Sequence, residues 1–455
     1  MENAGSGGTI VLETPQLHLE DGAKISAITK GAGKAANIKI DADNVTLRGG
    51  SQIFASSDGS GDGGTIVLTA EQLILEGINT NSEDENEGKG NRIMANAVGE
   101  MADAGDSGTI TLTLGHLQLS DGAQISASTF GPGQGGQIDI TVTKEAHLSD
   151  QDQQKFRSGL FTSSQSQADN AGDSGAINFS VGDLYLTDDA EIYAETWGSG
   201  QGGNIAIQAQ NILMAAGGRI TARSGDEDRK ASGNAGKITL SIGNRLFMRE
   251  GTIRTSADIA NGGGISITSP SYIYLQDSKI TATVNEEFGS GGNLDLAPEF
   301  VVLDNSKLFA KAKQGQGGNI NITTTGIYNF TGEPIADIIN ASSEFGVDGE
   351  VNITSPDIDM SSKLLVLPTN YVSAKDQLQS PCSARLADNL SSFIMIASEG
   401  AAPSPGDLLP SGPRLSPLID LSMLSEKTGQ RIQSHRFPTV ALLSGCRPKL
   451  RDSRF

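Results

Sequence analysis

The sequence predicts an all-β fold, a right-handed parallel β-helix (solenoid) of about 12 rungs over residues 1–367, followed by an irregular tail over residues 368–455. Three observations lead to this prediction. A glycine-containing anchor recurs along the chain, and each repeat carries three short apolar alternations. The composition combines 57 glycines with one Trp, six Tyr and 14 Phe in 455 residues. Much glycine and few aromatic side chains favour an elongated fold with many tight turns over several separate compact cores.

The anchor is a glycine-rich corner followed by an apolar residue, as in Gly7-Gly8-Thr9-Ile10 and Gly202-Gly203-Asn204-Ile205. The twelve copies end at Ile10, Ile38, Ile66, Ile110, Ile138, Ile177, Ile205, Ile238, Ile265, Leu294, Ile320 and Val351. Most copies are about 28 residues apart, which indicates a repeat architecture. Insertions near residues 77–91, 149–159 and 223–235 lengthen three of the intervals. These insertions mark where a partner surface could differ from the plain rod.

Each repeat contains three short alternations of apolar and outward residues, for example Ile10-Val11-Leu12, Leu17-His18-Leu19 and Ile25-Ser26-Ala27. Alternation with a period of two predicts a β-strand. Turn-forming pairs such as Asp-Gly separate the second and third strands. We therefore expect three strands and three turns per rung. The rungs must stack to bury their apolar rows, and crossovers between parallel strands are right-handed in nearly all folds. Antiparallel sandwiches also have short strands at regular intervals, but they do not require the same anchor twelve times.

The net charge of −21 excludes some classes of partner. A phosphate backbone requires clustered Lys and Arg, so we expect no nucleic-acid partner. The same acid excess disfavours an anionic membrane surface, and no apolar run approaches the length of a membrane span. The acidic excess lies in residues 1–367, whereas the tail is slightly basic and contains both cysteines, Cys382 and Cys446. These two cysteines could pair in an oxidising compartment or remain free thiols.

The Gly-x-Gly-Gly corners, with Leu-x-Leu and then Ile-x-Ala strands, resemble those of a known family. So does the tail, with Cys382, the segment Ser391-Ser392-Phe393-Ile394-Met395-Ile396, and Pro403-Ser404-Pro405. Together they resemble the cyanobacterial exoproteins of filamentous-haemagglutinin type, which are exported by two-partner secretion. The resemblance covers almost the whole chain. It implies a large secreted or cell-surface protein, adhesin-like, exported through an outer-membrane β-barrel transporter, and it brings no catalytic residues with it.

One departure from that family concerns the start of the chain. Family members begin with a signal peptide and a secretion domain, whereas Met1 is followed by Glu2-Asn3-Ala4-Gly5 and then directly by a rung. We therefore expect a truncated gene, a split open reading frame, or a C-terminal part of a longer two-partner-secretion substrate.

The alternative function is a carbohydrate-active enzyme, a polysaccharide lyase or hydrolase, because β-helices often carry such sites. The outward residue after each anchor forms a column whose two acids are Asp139 and Asp295, five rungs apart or about 24 Å. Glycosidase carboxylates lie about 5–9.5 Å apart, so this column supplies no catalytic pair. Two Gly-Asp-Ser-Gly motifs, at residues 105–108 and 172–175, occupy anchor corners and are interpreted as turns. Trp197 is interpreted as an exposed turn aromatic. We expect no enzyme activity, cofactor or metal.

The second alternation carries an outward column that we expect to be a contact surface. It begins with His18, Thr46, Ile74 and Gln118, passes an irregular rung, and continues with Tyr185, Leu213, Phe247, Tyr274 and Val302. Five successive apolar residues on the outside of a soluble rod usually mark a contact site. We predict that part of the tail folds back along this face, with apolar residues such as those at 393–396 as one candidate cover. A partner protein, a second rod or a surface glycan is the other.

Overall fold

The computed structural model describes residues 5–80, 88–101, 103–225, 231–285 and 289–355, and shows them as a parallel β-solenoid of about 12 turns. Nearly every described element is a strand, and all pairings between named strands are parallel. The strands form two sheets that run along the solenoid, one of 13 strands and one of 11. The predicted fold class is confirmed.

The first sheet contains β1 (Thr9–Leu19), β3 (Asn37–Arg48), β5 (Thr65–Glu76), β7 (Thr109–Leu119), β9 (Gln137–Leu148), β11 (Ile177–Leu186), β13 (Ile205–Ala215), β15 (Ile238–Arg249), β17 (Ile265–Gln276), β19 (Leu294–Asp304), β21 (Ile320–Thr323), β22 (Gly326–Asn329) and β24 (Val351–Thr354). The second sheet contains β2 (Lys24–Ser26), β4 (Gln52–Phe54), β6 (Arg92–Met94), β8 (Gln124–Ser126), β10 (Gly159–Ser164), β12 (Glu191–Thr196), β14 (Arg219–Ser224), β16 (Thr252–Ala257), β18 (Lys279–Val284), β20 (Lys307–Phe309) and β23 (Ile339–Asn340).

The number of strands per turn differs from the expectation of three. In most turns the first and second alternations form one bent strand of 10 to 12 residues, so each turn contributes one strand to each sheet. The polar corner between them keeps its parallel pairing, as when Thr14 pairs with Ala42 and Gln16 with Asn44. Register shifts at this corner, for example between Leu114 and His116, absorb the bend. Because successive turns bend at the same place, the strands of neighbouring turns stay paired through the corner.

The anchor residues are in register through all twelve turns, from Ile10 opposite Ile38 to Ile320 opposite Val351. Their side chains point inward, and the ten anchors between the two terminal ones are fully buried. Isoleucine, leucine, valine and alanine of both sheets form one continuous core along the solenoid. Phe179 is the largest of these fully buried side chains. Stacking of identical turns is what removes the apolar rows from water.

Close backbone contact between turns explains the glycine of the anchor. A Cβ placed on Gly203 would overlap the carbonyl oxygen of Gly175 in the preceding turn, and one on Gly175 would overlap that of Gly136. The same collision recurs down the solenoid as far as Gly349, which lies against Gly318. Glycine occupies this position in every turn except the second, which has Ala36. Sequence reasoning treated these as turn residues, but they are also packing residues.

Tight turns in the left-handed region connect the first sheet to the second. Asp21, Asp121, Asp189 and Asn305 have positive φ there, together with glycines such as Gly22 and Gly122. Asp, Asn and Gly tolerate this conformation better than other residues, which agrees with the predicted turn pairs.

One helix is present among the described residues, the four-residue α1 (Ile335–Ile338). No helix in the described ranges is long and apolar enough to cross a membrane. The tail over residues 368–455 lies outside the described residues, and so do the two predictions that depend on it, the pairing of Cys382 with Cys446 and the folding of the tail onto the rod.

Candidate functional site

The predicted outward column of the second alternation is continuous in the structure. Tyr185 pairs with Leu213, Leu213 with Phe247, Phe247 with Tyr274, and Tyr274 with Val302, on five successive strands from β11 to β19. All five side chains are half-buried on the outer face of the first sheet. We call these five residues the contact stripe. The five side chains form one surface because the strand register places them opposite one another on successive strands.

The contact stripe continues at both ends beyond its predicted members. His147 fills the turn that sequence reasoning treated as irregular, and its ring stacks on Tyr185 with centroids 4.3 Å apart. At the other end Tyr328 follows Val302 and is 51% exposed. Within the stripe, the rings of Phe247 and Tyr274 stack at 5.2 Å. The surface is therefore longer and more aromatic than the sequence indicated.

A neighbouring column widens the stripe. Tyr272 and Phe300 are paired on adjacent strands, and the ring of Phe300 lies 6.0 Å from that of Tyr328. The Arg245 guanidinium donates to the Tyr272 hydroxyl at 3.2 Å. Tyr and Phe are enriched in protein contact surfaces, where aromatic side chains dominate the binding energy.

Charged groups surround the Tyr185 end of the stripe. Burial raises the pKa of the Tyr185 phenol, and the carboxylates of Asp183 and Glu145 raise it further. Glu145 itself lies between two histidines, 3.4 Å from His116 Nδ1 and 3.3 Å from His147 Nε2. This end of the stripe is polar, whereas the centre is apolar.

A second surface, which sequence reasoning missed, lies on the outer face of the second sheet. It is an open groove of about 920 Å³ across strands β10 to β20. We call it the cationic groove. Its lining contains the cations Arg157, Arg219, Arg223, Arg254, Lys279 and Lys307. Among the lining residues that the structure describes, Glu191 is the one carboxylate. A basic surface in a chain of net charge −21 is a clear local exception.

Aromatic rings are interleaved with these cations. Tyr193 lies 6.1 Å from Phe161, and the Arg223 guanidinium lies over its ring at 5.6 Å. Lys311 Nζ lies 4.0 Å from the centroid of Phe309 at the other end of the groove. Threonine hydroxyls occupy the intervening turns at Thr221, Thr252, Thr281 and Thr283. The groove thus combines positive charge, apolar rings and hydroxyl groups.

Two acids, Glu191 in the groove lining and the buried Glu195 on the same strand, are engaged with neighbouring groups. Glu191 accepts from Arg157 at 3.1 Å and from the Thr221 hydroxyl at 3.1 Å. Glu195 has no exposed side-chain surface; it forms an ion pair with Arg223 at 2.6 Å and accepts from Trp197 Nε1 at 2.9 Å. The two glutamates are four residues apart on one strand, or about 13 Å, beyond the separation of a glycosidase pair.

The structure corrects the interpretation of Trp197. We expected an exposed turn aromatic, but the side chain is half-buried and its indole N–H is held by the buried Glu195 carboxylate. Trp197 is half-buried because it occupies the next outward position after Glu195, two residues further along the chain, at the rim of the second sheet. Trp197 therefore helps to fix a buried charge.

The outward column after the anchors has the predicted register. Asp139 accepts from Asn178 at 2.8 Å, and Asp295 accepts from Asn321 at 2.8 Å, each in the following turn. Five turns separate the two acids, so they are about 24 Å apart. Both acids hydrogen-bond to side-chain amides along the column, which is a structural role for them.

Each Gly-Asp-Ser-Gly motif holds the backbone of the following turn. Asp106 Oδ1 accepts from the Gln134 amide at 2.6 Å, and Asp173 Oδ1 accepts from the Gln201 amide at 2.7 Å. The predicted turn interpretation agrees with this geometry. In the described parts of the chain, no three His, Cys, Asp or Glu side chains converge in an arrangement that could hold a metal ion.

Of the three insertions, the one near residues 149–159 is described throughout. Asp152 organises it by accepting from the amides of Gln154 and Phe156, each at 2.9 Å, and Gln151 pairs with Arg157. The insertion brings Arg157 to the end of the cationic groove. Parts of the other two insertions, residues 81–87 and 226–230, lie outside the described residues.

The comparisons with known proteins found no match for this chain among family models, curated proteins or solved structures. Its surfaces are therefore interpreted from their own geometry.

The cationic groove could have been found from the sequence. Lys or Arg stands directly before the apolar residue of the third alternation in Arg219-Ile220, Lys279-Ile280 and Lys307-Leu308. These cations form an outward column of the third alternation, equivalent to the columns of the first and second alternations.

Proposed function

We propose that this chain is a non-enzymatic β-helix exoprotein, adhesin-like or structural, that is secreted or displayed at a cell surface and binds its partner through the contact stripe. The observation that carries the proposal is the unbroken run from Tyr185 to Val302 on the outer face of the first sheet. A soluble rod that half-exposes a contiguous aromatic surface has a contact site there.

The energetics support binding along the stripe. Burying apolar surface contributes about 25 cal/mol per Å², so five half-buried large side chains can supply several kcal/mol when a partner covers them. Stacked pairs such as Phe247 and Tyr274 are already ordered, which lowers the entropy lost on binding. A rigid, preformed aromatic surface is suited to an adhesive protein that binds another surface.

The solenoid scaffold supports the same role. Stacked repeats present long, regular side faces, and such faces are the binding surfaces of solenoid proteins. The family resemblance adds export to this picture, through an outer-membrane β-barrel transporter, with surface proteins or glycans as partners. In that context the chain belongs to a two-partner-secretion substrate.

The test combines binding with localisation. The full chain and a Phe247→Ser, Tyr274→Ser double variant are compared for binding to intact cells of the organism that produces the protein. Val11→Ser is the matched control, because Val11 is 53% exposed and lies on a different column. Central aromatic contacts are worth about 2 kcal/mol or more, so the double variant should bind at least about tenfold more weakly.

Circular dichroism confirms that each variant keeps its β structure. Equal binding by the double variant and the native chain would contradict the role of the stripe. Failure of antibodies to label the protein on intact cells, together with its absence from the medium, would contradict the proposed location.

A further inference from the structure

We propose that the cationic groove is a second binding site, separate from the contact stripe, and that it takes an acidic polysaccharide extended along the solenoid axis. Arg219, Arg254, Lys279 and Lys307 stand on four successive strands of the second sheet, β14 to β20. One cation per turn, in a groove with a single lining carboxylate among the described residues, selects a ligand that carries repeated negative charge.

Lys279 differs from the other lysine of the groove and from Arg157, Arg219 and Arg223 in its lack of a described carboxylate partner. Its side chain is exposed, and it forms no ion pair with any carboxylate that the structure describes. Arg157, Arg219 and Arg223 have internal partners in Glu191, Asp189 and Glu195. Lys307 lies 3.6 Å from Glu333, at the long end of an ion pair. The open charge is thus greatest at Lys279, on the turn next to the β20 end of the groove.

The spacing of the groove favours a linear polymer. Successive turns are about 4.8 Å apart, so the six turns from β10 to β20 extend over about 24 Å. An extended chain of sugar rings advances by a similar distance per residue. A polymer with one carboxylate or sulfate on each sugar, or on every second one, can therefore face a cation at regular intervals.

Rings and hydroxyls in the groove match the rest of a sugar chain. Phe161 and Tyr193 at one end, and Phe309 at the other, offer flat apolar surfaces on which the C–H faces of pyranose rings can pack. Between them, the hydroxyls of Thr221, Thr252 and Thr281 can donate and accept hydrogen bonds. Arginine guanidinium groups bind carboxylate and sulfate oxygens in the same forked geometry.

Charge density argues against nucleic acid in this groove. Double-stranded DNA carries about one negative charge per 1.7 Å, far denser than one cation per turn of about 4.8 Å. The excess phosphates would face a chain whose net charge is −21. A sparser polyanion can place its charges on the groove cations alone.

The experiment measures binding of four probes to the purified full chain by calorimetry. Oligogalacturonate tests carboxylate recognition, a sulfated dextran oligomer tests sulfate, neutral dextran tests charge dependence, and oligo-dT tests nucleic acid. We expect at least one acidic glycan to bind, with affinity that falls as salt rises, and no binding of neutral dextran. The acidic glycan that binds more tightly identifies the anionic group.

Lys279→Glu is the test variant, and Lys39→Glu is the matched charge reversal, because Lys39 is exposed on the first sheet away from the groove. Lys279→Glu should weaken acidic-glycan binding about tenfold, and Lys39→Glu less than about twofold. The proposal is overturned if neither acidic glycan binds, if both variants lose affinity equally, or if oligo-dT binds as tightly as the better glycan. Any of these results leaves the role of the contact stripe intact.

Discussion

Arg223 reaches back one turn from β14 and places its Nε 2.6 Å from Oε1 of Glu195, a carboxylate with no exposed side-chain surface. Trp197 donates to the other oxygen of the same carboxylate at 2.9 Å. A buried charge of this kind is stable only while its partners stay in place. The pair therefore joins two turns of the solenoid directly beneath the cationic groove.

Replacing Arg223 by methionine should destabilise the fold, because it removes a cation that lies against the buried Glu195 carboxylate. Removing one partner of a buried pair typically costs about 3–5 kcal/mol. The measurement is the urea midpoint of unfolding, followed by circular dichroism. Arg249→Met is the control, since Arg249 is exposed on the first sheet. Equal midpoints for both variants would show that the Glu195 charge does not depend on Arg223.

The glycine of the anchor should not tolerate a side chain inside the solenoid. Gly203→Ala places a Cβ against the carbonyl oxygen of Gly175, so the turns must separate. We expect a loss of several kcal/mol, beyond the effect of an ordinary surface change. Gly8→Ala is the matched control, because Gly8 holds the same position in the first turn and has no atom within 4 Å of a Cβ there. If both substitutions have the same small effect, close contact between turns is not the reason for glycine.

The core should be sensitive to loss of its largest side chain. Phe179 is 2% exposed, and Phe179→Ala leaves a cavity that the neighbouring turns cannot close. Such truncations cost about 3–5 kcal/mol. Phe345, which is 71% exposed, provides the control Phe345→Ala, with an expected effect below about 0.5 kcal/mol. Thermal and urea unfolding of the full chain measure both; a mild effect at Phe179 would argue against tight internal packing.

The alkaline stability of the chain should depend on Tyr185. Its pKa is raised in the folded state, mainly by burial. The unfolded phenol releases its proton near pH 10, before the folded one does. The contribution of Tyr185 is therefore complete below about pH 10 and is lost as pH rises through the raised folded pKa. Urea midpoints between pH 8 and 11 should fall less steeply for Tyr185→Phe than for the native chain. Identical slopes would contradict this.

The purified chain should not cleave pectin, alginate or peptides. Glu191 and Glu195 at the cationic groove are about 13 Å apart along their strand, too far for a glycosidase pair. Release of reducing ends or unsaturated uronates, and of peptide products, is the measurement. Turnover that a single Asp or Glu substitution abolishes would establish an enzyme instead.

Much of the fold could be predicted because, in a parallel solenoid, residues that are one repeat apart in sequence are neighbours in space. Residues at equivalent positions in consecutive repeats must lie side by side, one turn apart. This is why the column from Val11 to Asn352 and the stripe from Tyr185 to Val302 appear in the structure as read from the sequence. The repeat likewise predicted the number of turns and the inward anchors.

Other features needed the three-dimensional structure. The continuous strand through the polar corner depends on hydrogen bonding between turns, which alternation alone does not indicate. His147 entered the stripe because a register shift realigned its turn. The burial of Glu195, its contacts with Arg223 and Trp197, and the convergence of six cations on one groove depend on how side chains of successive turns pack. The sequence by itself determined which residues share a column, because the spacing of the repeats along the chain sets which residues lie at equivalent positions in successive turns. Only the tertiary structure decided which columns are buried, paired or open to a ligand, because those properties arise from contacts between turns.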